Sequence, residues 1–235
     1  VSTPSRAATV ARVTTRTIGE ILITLGLVVL LFCGYELWFT GVYTQAQQHR
    51  LSDELHRNWA EPDKPGHEGR PGDVPITDVP LGSGLAVMRI PALGRDYAKV
   101  VIEGVGREDL KKGPGHFPGT ALPGQIGNFV VSGHRTTYGA PFNRVDELHE
   151  GDAIVVETRD TWFTYRVTQL KVVDPDAIEV TLPVPEHPGA VPNKAVLTLT
   201  TCNPKYSAKT RFIVFADLAE STPKADGLPA ALKGI

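Results

Sequence analysis

The sequence predicts a mainly β domain, a closed barrel or a sandwich, preceded by a single membrane-spanning helix. Three observations carry this. Short β-type runs separated by turn signals fill the chain from about Gly84 onward. Its 23 glycines and 19 prolines favour many turns over a helical bundle. One long apolar run, Ile21 to Phe39, stands near the N-terminus. The 235 residues are 41% hydrophobic, ordinary for a globular protein. With a tail removed at each end, they suit one domain of about 100–150 residues, large enough for a core without disulfides. A formal net charge of −2 and the lack of a dense basic cluster exclude a general nucleic-acid binder.

The first element is the apolar run. As helix, Ile21–Phe39 rises about 28 Å, close to the thickness of a bilayer core. Glu20 and Glu36 lie near its ends, and Trp38, Phe39 and Tyr43 fit an interfacial aromatic belt. Arg6, Arg12 and Arg16 precede it with no acidic residue among them, which places the N-terminus in the cytoplasm. A cleaved signal peptide would need a small-x-small site soon after a shorter run, and a buried core helix would not carry these flanks. The expected organisation is a cytoplasmic tail over 1–17, a transmembrane anchor over 18–42 and an extracytoplasmic remainder. The chain is thereby expected in the plasma membrane, crossing it once. Its first residue is Val1 and its one methionine is Met88, consistent with a trimmed chain or with a start codon read as valine.

After the anchor, Leu51, Leu55 and Trp59 form a helical stripe, read as a stalk helix packed on the domain or self-associating. Glu61–Gly84 is rich in Pro, Gly and charge and reads as a spacer, so 43–83 is stalk and spacer. Over 84–219 the β-type runs are LAVMRIPALG, AKVVIEG, NFVVSGHR, DAIVVET, WFTYRVTQLKVVD, KAVLTLTTC and RFIVFADL. REDLKKGPG and PFNRVDEL read as helical turns between them. Regular βαβ alternation is lacking, so the expected architecture is a barrel or sandwich. Residues 220–235 read as a disordered tail.

The chain has two cysteines. Cys33 falls in the lipid run and Cys202 outside it, so the two cannot bridge within one chain. An odd thiol in an oxidising compartment is either reactive or an intermolecular linker. Cys202 ends the run VLTLTTC, where alternation sets Val196, Thr198, Thr200 and Cys202 on one face and Leu197, Leu199 and Thr201 on the other. Antiparallel pairing with the next strand would bring Arg211 beside Cys202. Read alone, the spacing favours a plainer alternative, a buried structural cysteine and a surface arginine. A nucleophilic thiol needs a base or cation close by, because an ordinary thiol of pKa about 8.5 is only slightly ionised at neutral pH. Of the seven histidines, His134 directly follows the buried run FVVSG, where a strand end can hold it rigidly. A core or surface histidine remains the commoner fate of such a residue, and spacing does not settle the choice.

VVSGHR, TLTTC and the arginine of TRF, in that order, resemble the sortases, membrane-anchored cysteine transpeptidases of Gram-positive bacteria. The similarity runs from Gly84 to Leu218, and GHRTTYGAPF with TCNP is most similar to the class E sortases of actinobacteria. The resemblance implies an eight-stranded closed β-barrel. It implies Cys202 as nucleophile, His134 as general acid/base and Arg211 as the group that positions substrate and oxyanion. It also implies cleavage of an LAxTG- or LPxTG-like sorting signal between Thr and Gly, with transfer of the surface protein to a cell-wall precursor amine such as that of lipid II. Thr198, Leu199 and Thr201 of the box are expected to line the groove or orient the cysteine, ordinary strand packing being the alternative. Phe117 stands where class E chains are expected to carry tyrosine, which bears on the choice between LAxTG and LPxTG. Asp174 and Asp176 read as a turn, and neither a metal nor another cofactor is expected. The competing classes are a non-catalytic tethered β-domain that binds wall components, and another cysteine enzyme. Papain-like chains place cysteine before histidine, and L,D-transpeptidases need a Ser-x-Gly-Cys box that is not present.

Overall fold

The computed structural model describes residues 6–60 and 79–233, apart from the side chains of 6–11 and 36–39. Most of the expected spacer, and the side chains of Trp38 and Phe39, therefore lie outside the described residues. Two compact units result, 1–40 and 41–235. The first is helical. Its apolar side chains Ile21, Leu22, Leu25, Leu30 and Phe32 are all exposed within the protein, as a lipid-facing helix requires. Among the described residues one helix is long and apolar enough to cross a membrane, with a mean hydropathy of 2.2 over its most apolar window. The helix α1 is assigned over Arg6–Ala60.

The second unit is an eight-stranded closed barrel in the order β1-β2-β3-β4-β7-β8-β6-β5. The strands are β1 Gly84–Arg89, β2 Ala98–Glu103, β3 Gly115–His116, β4 Gly127–Ser132, β5 Ala153–Glu157, β6 Thr161–Val173, β7 Ala195–Asn203 and β8 Thr210–Pro223. Seven of these correspond to the β-type runs. The eighth, β3, has two residues, too few to display a period. It pairs parallel to β2 and antiparallel to β4 and so closes the barrel. A four-residue helix, α2 (Arg107–Leu110), and a 3-10 turn at Val145–Glu147 occupy the two expected helical turns.

Strand alternation divides the apolar residues into three clusters. Met88, Val101, Phe129, Val131, Leu197, Leu199, Val214 and Ala216 point inward and form the main core with Tyr165 and Ile154. Val87, Val100 and Ile102, on the opposite faces of β1 and β2, receive Leu51 and Leu55 from α1, with Trp59 alongside. The predicted stripe is thus a packing face, and the helix from Gly41 onward belongs with the barrel. Gln48 secures it further, accepting from Val100 N at 2.8 Å and donating to Lys112 O at 2.9 Å. On the outer face of β8, Ile213 and Phe215 pack under Val180 from the long β6–β7 connection.

The expected disordered tail is corrected by the structure. β8 continues to Pro223 in register with Thr161 of β6. Lys224 then lies over the rings of Trp59 and Trp162, at 4.3 and 5.2 Å from their centroids, and pairs with Glu157 at 2.9 Å. Short 3-10 turns follow at Lys224–Asp226 and Ala230–Leu232. The Pro/Ala/Lys composition concealed this because its contacts are made with residues far away in sequence.

Candidate active site

The site forms where three strands end at one rim. β4 and β7 are parallel, with Ser132 level with Thr200. The pairing continues past the end of β4, since Gly133 N donates to Thr200 O at 3.1 Å and Thr201 Oγ1 donates to Gly133 O at 2.7 Å. Two positions beyond Ser132 and Thr200 come His134, just past the end of β4, and Cys202, still on β7. β7 and β8 are antiparallel, and Cys202 is the direct cross-strand partner of Arg211. Register therefore pairs Cys202 with Arg211, and His134 follows two residues past the end of β4 at the same end of the barrel.

Each is held differently. Gly133 has no room for a side chain, because a Cβ there would lie 2.6 Å from the fully buried Phe142 ring. Phe142 N in turn donates to His134 O at 3.1 Å, so the backbone on both sides of His134 is fixed. The imidazole lies 5.1 Å from the Tyr138 ring, centroid to centroid. Half-buried there, it loses solvation in its charged form, and its pKa falls below the ordinary 6.5. Cys202 is partly exposed and in no disulfide. Arg211 Nη1 donates to Ala208 O at 3.0 Å and Thr210 O at 3.1 Å, which anchors the guanidinium to the β7–β8 loop.

A groove of about 320 Å³ runs from Arg211 along the outer face of the sheet. Phe117, Ser132 and Thr200 line it on the barrel side, and Ile178, Val180 and Thr181 of the β6–β7 connection line the other. Buried Asn128 ties that connection down: its Nδ2 donates to Val180 O at 3.0 Å and Leu182 O at 2.9 Å. Its Oδ1 accepts from Thr198 Oγ1 at 2.7 Å.

Of the four residues expected to meet substrate, Phe117 alone lines the groove. Thr198 is fully buried and bonded to Asn128, so it supports the groove wall from beneath. Leu199, 1% exposed, is barrel core, and the packing alternative holds for it. Thr201 is buried and bonded to Gly133 O, where it can set the approach of β4 to the cysteine strand. Sequence reasoning missed Asn128. A polar residue opening a buried strand was its signal, since such an amide needs partners. Sequence reasoning did not single out His116. It is 2% exposed, with Nδ1 at 2.7 Å from Glu103 Oε2 and Nε2 at 2.9 Å from Thr120 Oγ1, directly before Phe117. Asp174 and Asp176 lie in a turn, their carbonyls accepting from Ala177 N and Ile178 N. Among the described residues no cluster of His, Cys, Asp and Glu forms a metal site.

The sortase domain family model matches residues 88–219. Sortase SrtE1 of Streptomyces coelicolor is 37% identical over 230 residues, which is 94% of this chain, while the chain spans 62% of that protein's length. Sortase SrtE2 of the same organism is 32% identical, over 89% of this chain and 83% of its own length. The structure of sortase E from Streptomyces avermitilis superposes with a TM-score of 0.60 at 45% identity, covering 66% of this chain and 99% of that one. With its closed eight-stranded barrel and these class E relatives, the chain belongs to the sortase family.

Proposed function

We propose that this protein is a class E-type sortase transpeptidase that cleaves an LAxTG- or LPxTG-like sorting signal and passes the acyl group to a cell-wall amine. Sortases as a family act on sorting-signal proteins and cell-wall precursors. The observation that supports the reading for this chain is the cross-strand pairing of Cys202 with Arg211, with His134 two residues past the end of β4, whose last residue, Ser132, pairs with Thr200.

The chemistry follows from the residue types. The Cys202 thiolate attacks the carbonyl carbon of the signal's threonine, and the tetrahedral centre collapses with loss of the Thr–Gly C–N bond. The departing glycyl amine takes its proton from the His134 imidazolium, leaving a thioester on Cys202. The acceptor amine then attacks the thioester, gives a proton to the neutral imidazole and releases the cysteine as thiolate. A pKa held low by burial suits His134 to surrendering its proton in the first step. Arg211 is permanently charged and cannot act as a base. Its fork of donors suits the substrate backbone or the oxyanion. The wall formed by Phe117, Ile178, Val180 and Ile213 suits the apolar Leu-Ala or Leu-Pro part of the signal. The apolar helix anchors the enzyme by one pass in the plasma membrane. Arg12 and Arg16 before it favour a cytoplasmic N-terminus and an extracytoplasmic barrel that meets lipid II.

The test incubates the full-length chain in detergent with fluorogenic LAxTG and LPxTG peptides and an oligoglycine amine. Cleavage after threonine and a peptide–amine product are expected. Failure to cleave either peptide would overturn the reading. It would favour instead a tethered β-domain that binds wall components, in which Cys202→Ala leaves binding intact.

A further inference from the structure

We propose that Arg135 is a positioning residue for this chemistry, the centre of an inward-facing layer that fixes the backbone of all three catalytic residues; this rests on the reading given above. His134, Cys202 and Arg211 each have a chain neighbour that is buried or packed on the core. Gly133 and Arg135 flank His134, Thr201 precedes Cys202 and Phe212 follows Arg211. These neighbours form a closed circuit. Thr201 Oγ1 bonds Gly133 O, and Thr201 is the cross-strand partner of Phe212. The Arg135 guanidinium lies over the Phe212 ring, 5.4 Å from its centroid, and the chain runs through His134 back to Gly133.

Arg135 is a costly residue to place there. It is 3% exposed, and among the described residues its ion pair is Nη2 to Asp146 Oδ2 at 2.9 Å. Nε and Nη1 are buried with no hydrogen-bond partner among the described residues. A buried donor left unpaired opposes folding, and an apolar side chain of similar volume in place of a buried ion pair is often neutral or stabilising. A flat cation thus stands where a methionine would leave no buried donor unpaired. What it supplies is geometric. Its carbonyl accepts from Asn143 Nδ2 at 2.9 Å, and its guanidinium links the His134 end of β4 to the Phe212 seat on β8. Through Asp146, whose Oδ1 lies 3.9 Å from Lys205 Nζ, it also reaches the β7–β8 loop, whose Ala208 O accepts from Arg211. Arg135 touches no reacting atom in this scheme. It acts by holding His134, Cys202 and Arg211 in mutual register.

The experiment compares full-length wild type, Arg135→Met and Asp146→Asn, measuring melting temperature together with kcat and KM for sorting-peptide cleavage. Arg135→Met is expected to melt at or above the wild-type temperature while kcat falls at least about tenfold with KM unchanged, because misplaced catalytic groups weaken the transition state more than ground-state binding. Asp146→Asn, which leaves the stacked guanidinium without its charged partner, is expected to lose kcat by a smaller factor. Wild-type kcat in Arg135→Met overturns the proposal, as does a lowered melting temperature with full activity per folded molecule. Should Arg135→Met fail to fold, wild-type kcat in Asp146→Asn overturns it. A wild-type enzyme that cleaves neither peptide defeats the functional reading instead, and that result is read first.

Discussion

Replacing Asn128 with leucine tests how the groove is built. The change nearly conserves volume but removes three hydrogen bonds made by one buried amide, to Val180 O, Leu182 O and Thr198 Oγ1. Thr198 and Asn128 are 0% and 1% exposed, and Val180 is 4% exposed, so water cannot readily replace the lost partners of Val180 O and Thr198 Oγ1. Leu182 is partly exposed, and its carbonyl can be rehydrated at less cost. At about 1–3 kcal/mol for each orphaned buried group, two such groups give a destabilisation on the order of 4 kcal/mol. For a folded unit of this size that corresponds to a drop of roughly 8–16 °C in melting temperature. Because the segment released is the wall holding Ile178, Val180 and Thr181, KM for a sorting peptide should rise more than kcat falls. Thermal unfolding of the detergent-solubilised chain and steady-state peptide cleavage provide the two readouts. A melting temperature within about 2 °C of wild type, roughly 1 kcal/mol or less, would refute the claim that this amide ties down the groove wall.

Three further outcomes are expected. Arg211→Lys keeps the charge but loses the planar fork, and kcat/KM should fall by about 10²–10³ with the melting temperature nearly unchanged; an effect below about threefold would remove Arg211 from oxyanion or substrate positioning. The acidic limb of the kcat/KM profile should lie below 6.5, because burial disfavours the imidazolium of His134 and the site takes its extra proton only at lower pH; a limb above 6.5 contradicts the described environment. Phe117→Tyr should raise the preference for LAxTG over LPxTG by about 2- to 10-fold, the worth of one added hydrogen bond, and an unchanged ratio would show that this ring does not read the signal's second residue.

The barrel was largely legible because its strands are long enough to show alternation. VLTLTTC and FIVFAD each contain several inward apolar positions, and those same residues form the core around Leu197, Leu199, Val214 and Ala216. β3 escaped because two residues carry no period, although they close the sheet. The end of β8 and the turns after it escaped because their support is tertiary, Lys224 against Trp59 and Trp162 and a strand pairing with Thr161. At the site, the family motifs singled out Cys202, His134 and Arg211; cross-strand register pairs Cys202 with Arg211, and His134 comes just past the end of β4. The TLTTC box was less informative about its other members. Alternation sends Leu199 and Thr201 inward, and Thr198, though on the outer face, is covered by the Asn128-held connection. Asn128 and Arg135 were not legible as supports. A buried amide and a buried guanidinium declare their roles only through partners distant in sequence, Val180 for one and Phe212 for the other.

The central claim is that Cys202 forms the acyl intermediate with His134 as proton donor. Intact-mass measurement of the full-length enzyme after brief exposure to a sorting peptide, without an amine acceptor, tests it most directly. The account predicts a thioester adduct equal to the peptide's acyl part on Cys202. The adduct should disappear on adding oligoglycine, be absent in Cys202→Ala and form at least about 10²-fold more slowly in His134→Ala. An adduct that survives Cys202→Ala, or one formed at the wild-type rate in His134→Ala, would contradict it.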